Sequence, residues 1–485
     1  MTRARRIDRG PGCPFERGAQ VEFRFEGRTV QGYEGEPLAA ALLANGVQVF
    51  GRSIKYHRPR GPSCMLGHCS GCLLRVDGVP NVRSCEHACR SGIAVERQRG
   101  WPSARTDLFR TVDWVYGRRL DHHEMFTASA AINRLAMRFV RRMSGFGDPP
   151  SADPPAAARL ERFEAEVVVI GAGAAGMHAA LALAGEHRKV TVFEADPRPG
   201  GRLLDGACRI GRDGGAERGW AHLAGIEEQL RDCEGVELRP GTPVLAVYQG
   251  ERGHEVLASN RGETCVVDAA RIVVATGAHG QIPLFENDDL PGIFSLRGLD
   301  RLLLGWGVLP AQPVLVAGGA PAVDLAVELV ERGVETGLLT DLEDARIAEL
   351  EKRQVTVVRG QRIIRALGAK WIDRVELGPE GSQTPELVLD CGLLAAGLAD
   401  APAYELAHHA GCRVEFHSES GYRVVGDERG RSSNAHVFTA GHCAGAPDVE
   451  RAIESGTRAG MACALSLGED PDLARRLDAR CAADG

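Results

Sequence analysis

The chain has 485 residues, 44% hydrophobic and 25% charged, an ordinary balance for a globular protein with length for about three domains. A net charge of −7 gives no reason to expect nucleic acid or an anionic membrane as a partner, and no apolar run reaches the length of a membrane span. The start, Met1-Thr-Arg-Ala-Arg-Arg, lacks the apolar core of a signal peptide, and most of the 14 cysteines are scattered without a disulfide framework, so a reducing cytoplasm is expected.

Residues 1–17 read as a loose arm. Val21 to Phe25 alternates apolar and polar, Glu26-Gly27 turns the chain, and Thr29 onward pairs back as a hairpin. Pro37 to Ala44 predicts one short helix with proline at its start, stopped by Asn45-Gly46. The stretch Gly51 to Gly61 is basic with one aromatic, Tyr56. It is either a solvated loop or a surface for docking or for an anionic cofactor.

Cys64, Cys69, Cys72 and Cys85 follow, spaced C-x4-C-x2-C with the fourth after twelve intervening residues. A 2Fe–2S cluster needs four thiolates, two on each iron. The plant-type solution takes three from one tight loop and the fourth from further along the chain. Gly67 and Gly71 suit a backbone that wraps closely around inorganic sulfur, and Val76-Asp77-Gly78-Val79 signals a strand–turn–strand that returns Cys85. Structural zinc usually takes paired C-x2-4-C knuckles, and only Cys69/Cys72 supplies one. Cys89 is the nearest competitor for the fourth ligand and is read as a buried neighbour. Hairpin, helix and cysteine loop make a β-grasp, ferredoxin-like domain over residues 18–100 of an α/β chain.

Residues 101–163 are expected to hold a helical brace, Ile132 to Met143, and a Pro-rich linker, Gly145 to Pro155. A dinucleotide-binding domain is expected over 164–300 and 380–485. Its first strand runs from Glu166 into Gly171-Ala-Gly173-Ala174-Ala175-Gly176 and a helix, and the next strand ends in Glu194. Gly171 makes the turn, Gly173 admits a pyrophosphate to the helix N-terminus, and Gly176 lets helix and strand pack. Glu194 is placed to accept from adenosine ribose hydroxyls, and its charge argues against a 2′-phosphate. Ala174, Ala175, Gly201 and Arg202 are assigned to the same cofactor. Thr276-Gly277, at the end of the Arg271 strand, resembles a segment of two-dinucleotide flavoproteins. Gly441-His442, before a last helix from Val449 to Leu467, resembles their closing segment.

Between these segments, residues 301–379 read as an inserted NAD-binding-like domain. Its strand–turn–helix begins at Pro313-Val-Leu-Val-Ala-Gly318-Gly319-Ala320, with Ala320 where the second glycine of the fingerprint is expected. A methyl there crowds a pyrophosphate, and nicotinamide binding at the insert is left open. No C-x2-C pair occurs in residues 160–485, which argues against a dithiol relay. His122, His123, His408 and His409 are read as surface or core histidines.

Gly51-Arg-Ser-Ile-Lys-Tyr-His-Arg-Pro-Arg-Gly61, Trp101-Pro-Ser and Gly145-Phe-Gly resemble the N-terminal half of the alpha subunit of heterotetrameric sarcosine oxidase, over roughly residues 18–470. The four-cysteine loop, absent from that subunit, resembles the subunits of opine, hydroxyproline and hydrogen cyanide-forming dehydrogenase complexes, as do Ala275-Thr-Gly-Ala-His279 and Leu290-Pro-Gly292. The resemblance implies a two-dinucleotide flavoprotein fold after the ferredoxin-like domain, a 2Fe–2S cluster and FAD, with NAD as the other occupant of the main site and FMN at a subunit interface. It implies an oxidoreductase subunit that acts on CH–NH bonds of N-methyl or secondary amino acids. Its partners are a FAD-containing amine-oxidising beta-type subunit, small accessory subunits and a separate aminomethyltransferase-like subunit. His442 departs from the family, where an acid usually follows the closing glycine and holds a ribityl hydroxyl. Two rival readings are a free-standing NADH-dependent ferredoxin-type reductase and a non-catalytic scaffold with a structural dinucleotide.

Overall fold

The computed structural model describes residues 4–10, 13–54, 56–98, 100–111, 113, 129, 150, 159–211, 216–250, 253–260 and 262–482. The expected brace at 132–143 and, apart from Pro150, the expected linker at 145–155 lie outside the described residues, as do His122 and His123. The chain forms two compact units, 1–154 with 282–398, and 155–281 with 399–485.

In the first unit, Gln20–Phe25 and Arg28–Tyr33 form the expected hairpin, and Phe23 and Phe25 point into the core. Glu26 and Gly27 turn it with φ of 50° and 78°. Ala94–Glu96 lies parallel to the first strand and continues the five-stranded sheet to Leu73–Val76 and Val79–Arg83. Helix Leu38–Ala44 covers this sheet and is almost wholly buried, because its run of alanine and leucine carries no polar face. The arm is docked rather than loose. Arg5–Arg6 pairs antiparallel with Val308–Leu309, and Phe15 packs on Trp306 at 5.1 Å between rings. The Arg6 guanidinium meets both oxygens of buried Glu36, at 2.6 and 2.9 Å.

The same unit holds a five-stranded parallel sheet in the order Ile293–Ser295, Leu393–Ala396, Val314–Ala317, Thr336–Leu339, Thr356–Val358. Its first two strands lie outside the expected 301–379 insert. They are short apolar runs without a period of their own, which sequence pattern does not assign to one sheet over another. A three-stranded antiparallel sheet, Arg362–Leu367, Arg374–Gly378 and Leu387–Asp390, is added to it.

In the second unit, Arg159–Ile170 pairs parallel with Val190–Phe193 on one side and Glu263–Val274 on the other, and Val437–Thr439 pairs parallel with the latter. His254–Ser259 and Val244–Gln249 extend the sheet antiparallel. Its core gathers Val168, Ile170, Phe193, Ile272 and Val437. Helix Ala174–Gly185 is packed by the closing helix Val449–Leu465 at near backbone contact. A Cβ on Gly456 or Gly460 would meet the carbonyl oxygens of Ala175 or Ala179 at 2.1 and 2.6 Å. Among the described residues no helix is long and apolar enough to cross a membrane.

Candidate functional site

The cysteine loop is shaped by two left-handed residues, Met65 and Gly67, with φ of 52° and 75°. A side chain on Gly67 would run into Glu86, and a Cβ on Gly71 would lie 2.2 Å from the Gly61 carbonyl oxygen. Asp77 and Gly78, at φ of 47° and 80°, make the tight turn that brings Cys85 back, and Ser84 Oγ ties that return to the Cys72 carbonyl at 2.7 Å.

The four expected ligands come together. Cys72 Sγ lies 3.4 Å from Cys85 Sγ, and Cys64 is in hydrogen-bond reach of Cys69 and Cys85. The hydrogen bonds from Cys69 and Cys85 draw Cys64 down, that from Cys85 draws Cys72 down, and the two donors, Cys69 and Cys85, are pushed up by their bonds to Cys64. Four thiols this close ionise together only around a metal cation.

The four sulfurs are also not drawn around one centre. Around a single zinc, with Zn–S of about 2.3 Å, all four sulfurs stand within about 4 Å of one another. Among the described residues the three metal-type ligands mutually within 4.8 Å are Glu161, Glu263 and Cys265, and no three loop sulfurs form such a set. That other set already holds a cation, since Arg239 Nη1 sits 2.6 Å from Glu161 and 3.4 Å from Cys265 Sγ. The loop sulfurs instead form a chain of neighbours, Cys69–Cys64–Cys85–Cys72. Cys89 stands apart, buried against Gly32 and Ala41, and burial pushes its thiol up to about 12.

In the second unit the expected dinucleotide residues converge on the N-terminus of helix Ala174–Gly185. Gly171 has φ of 101°, and a Cβ there would lie 2.5 Å from the Ala275 carbonyl oxygen. A Cβ on Gly176 would lie 1.8 Å from the carbonyl oxygen of Gly171. These two glycines serve the chain's own packing. Gly173 differs: its Cβ would meet only the Gly201 Cα, at 3.9 Å, and no side chain caps the helix it begins. An uncapped helix start with a glycine face open in front of it suits an anionic pyrophosphate.

Around that helix start, Glu194 Oε2 accepts from the Ala172 amide at 2.7 Å and Oε1 from the Asp196 amide at 2.9 Å. Burial pushes this carboxyl up, and the amides oppose the shift. Each oxygen keeps a lone pair for a ribose hydroxyl. Gly173 bridges to Gly200, and Arg202, just beyond Gly201, is ion-paired with Asp400. Thr276 Oγ1 donates to the Ala403 carbonyl at 2.6 Å, and the Gly277 carbonyl accepts from the Ala403 amide at 3.0 Å. Gly441, at φ of 76°, approaches Ala175 so closely that a Cβ would stand 2.7 Å from its methyl, and half-buried His442 follows in the same short turn.

Residues 18–100 match the family described as 2Fe-2S iron-sulfur cluster binding domain. Residues 165–463, more than half the chain, match pyridine nucleotide-disulphide oxidoreductase. The chain belongs to the pyridine nucleotide-disulphide oxidoreductase family. The alpha subunit of sarcosine oxidase from Rhizobium meliloti (strain 1021) is 27% identical over 423 residues, 83% of this chain and 42% of that one. An opine oxidase subunit from Rhizobium meliloti is 26% identical over 336 residues, 62% of this chain and 63% of that one. The chain thus spans less than two thirds of the length of either relative. L-proline dehydrogenase from P. horikoshii shares the fold, with a TM-score of 0.69 over 97% of this chain and 78% of that one at 21% identity. The resemblance to sarcosine oxidase alpha subunits holds across most of the chain, and the fold is a ferredoxin-like domain joined to that of an oxidoreductase flavoprotein.

The second strand–turn–helix differs in its details from the first. Gly318 takes the turn at φ of 144°, and Gly319, not Ala320, begins helix Ala320–Glu331 with nearly the backbone angles of Gly173. The loop is one residue shorter, so Gly319 stands at the helix start and Ala320 is the first helical residue, with its methyl exposed. Pro321, the second helical residue, removes an N–H that a pyrophosphate would use. Asp341, after the next strand, accepts from Gly360 at 2.6 Å, whereas Glu194 accepts from its glycine loop.

The basic stretch is also accounted for. Arg58 is paired with Asp113 at 3.0 Å and Arg60 with Asp289 at 2.8 Å. Buried Arg52 donates to the Ala104 carbonyl at 2.7 Å, and His57 Nδ1 meets Asp107 at 2.7 Å. Sequence reasoning missed Asp107, Asp113, Asp289 and Asp400, because nothing local distinguishes these acids from solvated ones.

Proposed function

We propose that this chain is the iron–sulfur and dinucleotide-binding subunit of a heteromeric oxidoreductase acting on CH–NH bonds of N-methyl or secondary amino acids, with FAD in the main cradle. The observation that carries this reading is the gathering of four cysteines in one loop on the same chain as an uncapped glycine cradle. The names of the relatives supply the substrate class: one belongs to a sarcosine oxidase, another to an opine oxidase. In this reading the amine is recognised and oxidised on a FAD-containing beta-type partner. Small accessory subunits, FMN at a subunit interface and an aminomethyltransferase-like subunit belong to the same proposal.

Bound flavin supplies two-electron chemistry and the cluster passes electrons singly. The chain's own residues bind and orient. The first turn at Gly173 to Gly176 takes the pyrophosphate and Glu194 accepts from the adenosine ribose, while Arg202, held by Asp400, lies beside the same cradle. His442 offers one acceptor nitrogen on the ribityl side, where a carboxylate would offer two oxygens. The free-standing NADH-dependent reductase is the second reading, and Pro321 and Asp341 count against it.

The test is purification of the chain with the proteins that accompany it, followed by extraction of cofactors and assay with sarcosine and proline. The complex should oxidise one of them, and the isolated chain should yield FAD but no turnover. Oxidation by the isolated chain at the rate of the complex, or NADH oxidation by it with an artificial acceptor, would contradict the proposal.

A further inference from the structure

In the five-stranded parallel sheet of the first unit, the strand order reverses between Val314–Ala317 and Leu393–Ala396. Open parallel sheets bind ligands in the crevice outside the carboxyl ends of their strands at such a point. Gly318 and Gly397 follow these two strands, and the Gly397 amide donates to the Ala317 carbonyl at 3.0 Å. Here the crevice is taken by the chain's own Leu296. A Cβ on Gly397 would stand 2.5 Å from Leu296 Cδ1, and one on Gly318 would stand 3.5 Å from the same atom.

Leu296 begins the short helix Leu296–Asp300, which follows strand Ile293–Ser295 of the same sheet. Ser295 Oγ caps that helix by accepting from the Gly298 amide at 3.1 Å, and the Ser295 amide donates to the Ser63 carbonyl at 3.1 Å. Gly298 is at backbone contact with the cysteine loop. A Cβ on it would lie 2.3 Å from the Ser63 carbonyl oxygen and 2.9 Å from the carbonyl carbon and oxygen of Cys64. One turn of chain thus touches both the switch point of the sheet and a residue expected to hold iron.

We propose that this sheet is the seat of the cluster rather than a nucleotide site. Leu296 fills the crevice, and Ser295 and Gly298 are positioning residues that fix Cys64 against the carboxyl edge of the sheet. The inference rests on reading Cys64 as a cluster ligand. Electrons then do not reach the cluster from a nicotinamide held on this sheet. The helix also sets the backbone around Cys64, where the Leu66 amide lies 3.5 Å from Sγ. Hydrogen bonds to the sulfurs and their exposure govern the potential of a cluster, so displacing the helix shifts it.

The test uses the whole, anaerobically purified chain. Gly298→Ala pushes a methyl against the loop backbone. It should change the paramagnetic line shape of the reduced cluster and shift its midpoint potential, with the dinucleotide content of the main cradle as in the wild type. Where that variant does not fold, Ser295→Ala, which keeps the amide to Ser63 and loses only the cap, should give a smaller change of the same kind. Gly319→Ala, on the same sheet, adds a methyl that meets nothing within 4 Å and should leave line shape and potential unchanged. Gly173→Val closes the main cradle, and equilibrium dialysis of that variant against NADH should find no bound dinucleotide. NADH bound by it at one per chain, a cluster unaltered by the substitution beside it, or an equal effect of Gly319→Ala overturns the proposal. Absence of iron from the chain overturns the cluster reading instead, and the dialysis still decides whether the sheet takes a nucleotide.

Discussion

Cys85 and Cys89 stand four residues apart in sequence, yet only Cys85 comes within 3.4 Å of another loop sulfur. Cys89 lies instead in the core beside Gly32 and Ala41. Cys85→Ser should therefore lose iron and acid-labile sulfide together, while Cys89→Ser should keep both at wild-type content. Glu194 offers a second test at this scale. Burial raises its pKa, so on acidification it takes up a proton at a pH above that of an ordinary exposed glutamate and ceases to be a full acceptor for ribose. Dinucleotide affinity should fall as the pH drops through that raised value. Glu194→Gln should flatten the dependence and weaken binding at neutral pH by about 1.5–3 kcal/mol, the scale of a hydrogen bond to a charged group. Isothermal titration across the pH range reads both.

At the scale of elements, the cradle depends on the closing helix lying at backbone contact with the helix that starts it. Gly456→Val would place its Cβ about where the Ala175 carbonyl oxygen stands, 2.1 Å away. It should cost about 1–3 kcal/mol in denaturant unfolding and release the dinucleotide, since Ala175 belongs to the cradle. What was legible in the sequence follows from how local each feature is. The hairpin, the short helix, the cysteine loop and the glycine cradle are each written within a few dozen residues, by alternation, turn glycines and ligand spacing. The docked arm is a two-residue strand with no period to detect, and its partner Val308–Leu309 lies some three hundred residues on. Arg58, Arg60 and Arg202 look solvated until distant acids meet them, and Ala320 is displaced from its expected place because the helix start moves by one residue.

For the whole molecule, the central claim is that a one-electron carrier and a dinucleotide cradle share one chain. The cradle rests on a fingerprint common to very many proteins, whereas the cluster rests on four neighbouring sulfurs with the ligand spacing of a two-iron loop, so the cluster carries more of the weight. The most direct measurement is metal and sulfide analysis of the anaerobically purified chain, with its paramagnetic spectrum before and after reduction. About two iron and two acid-labile sulfides per chain are expected, silent when oxidised and paramagnetic when reduced. One zinc per chain, no labile sulfide and no signal on reduction would contradict the account.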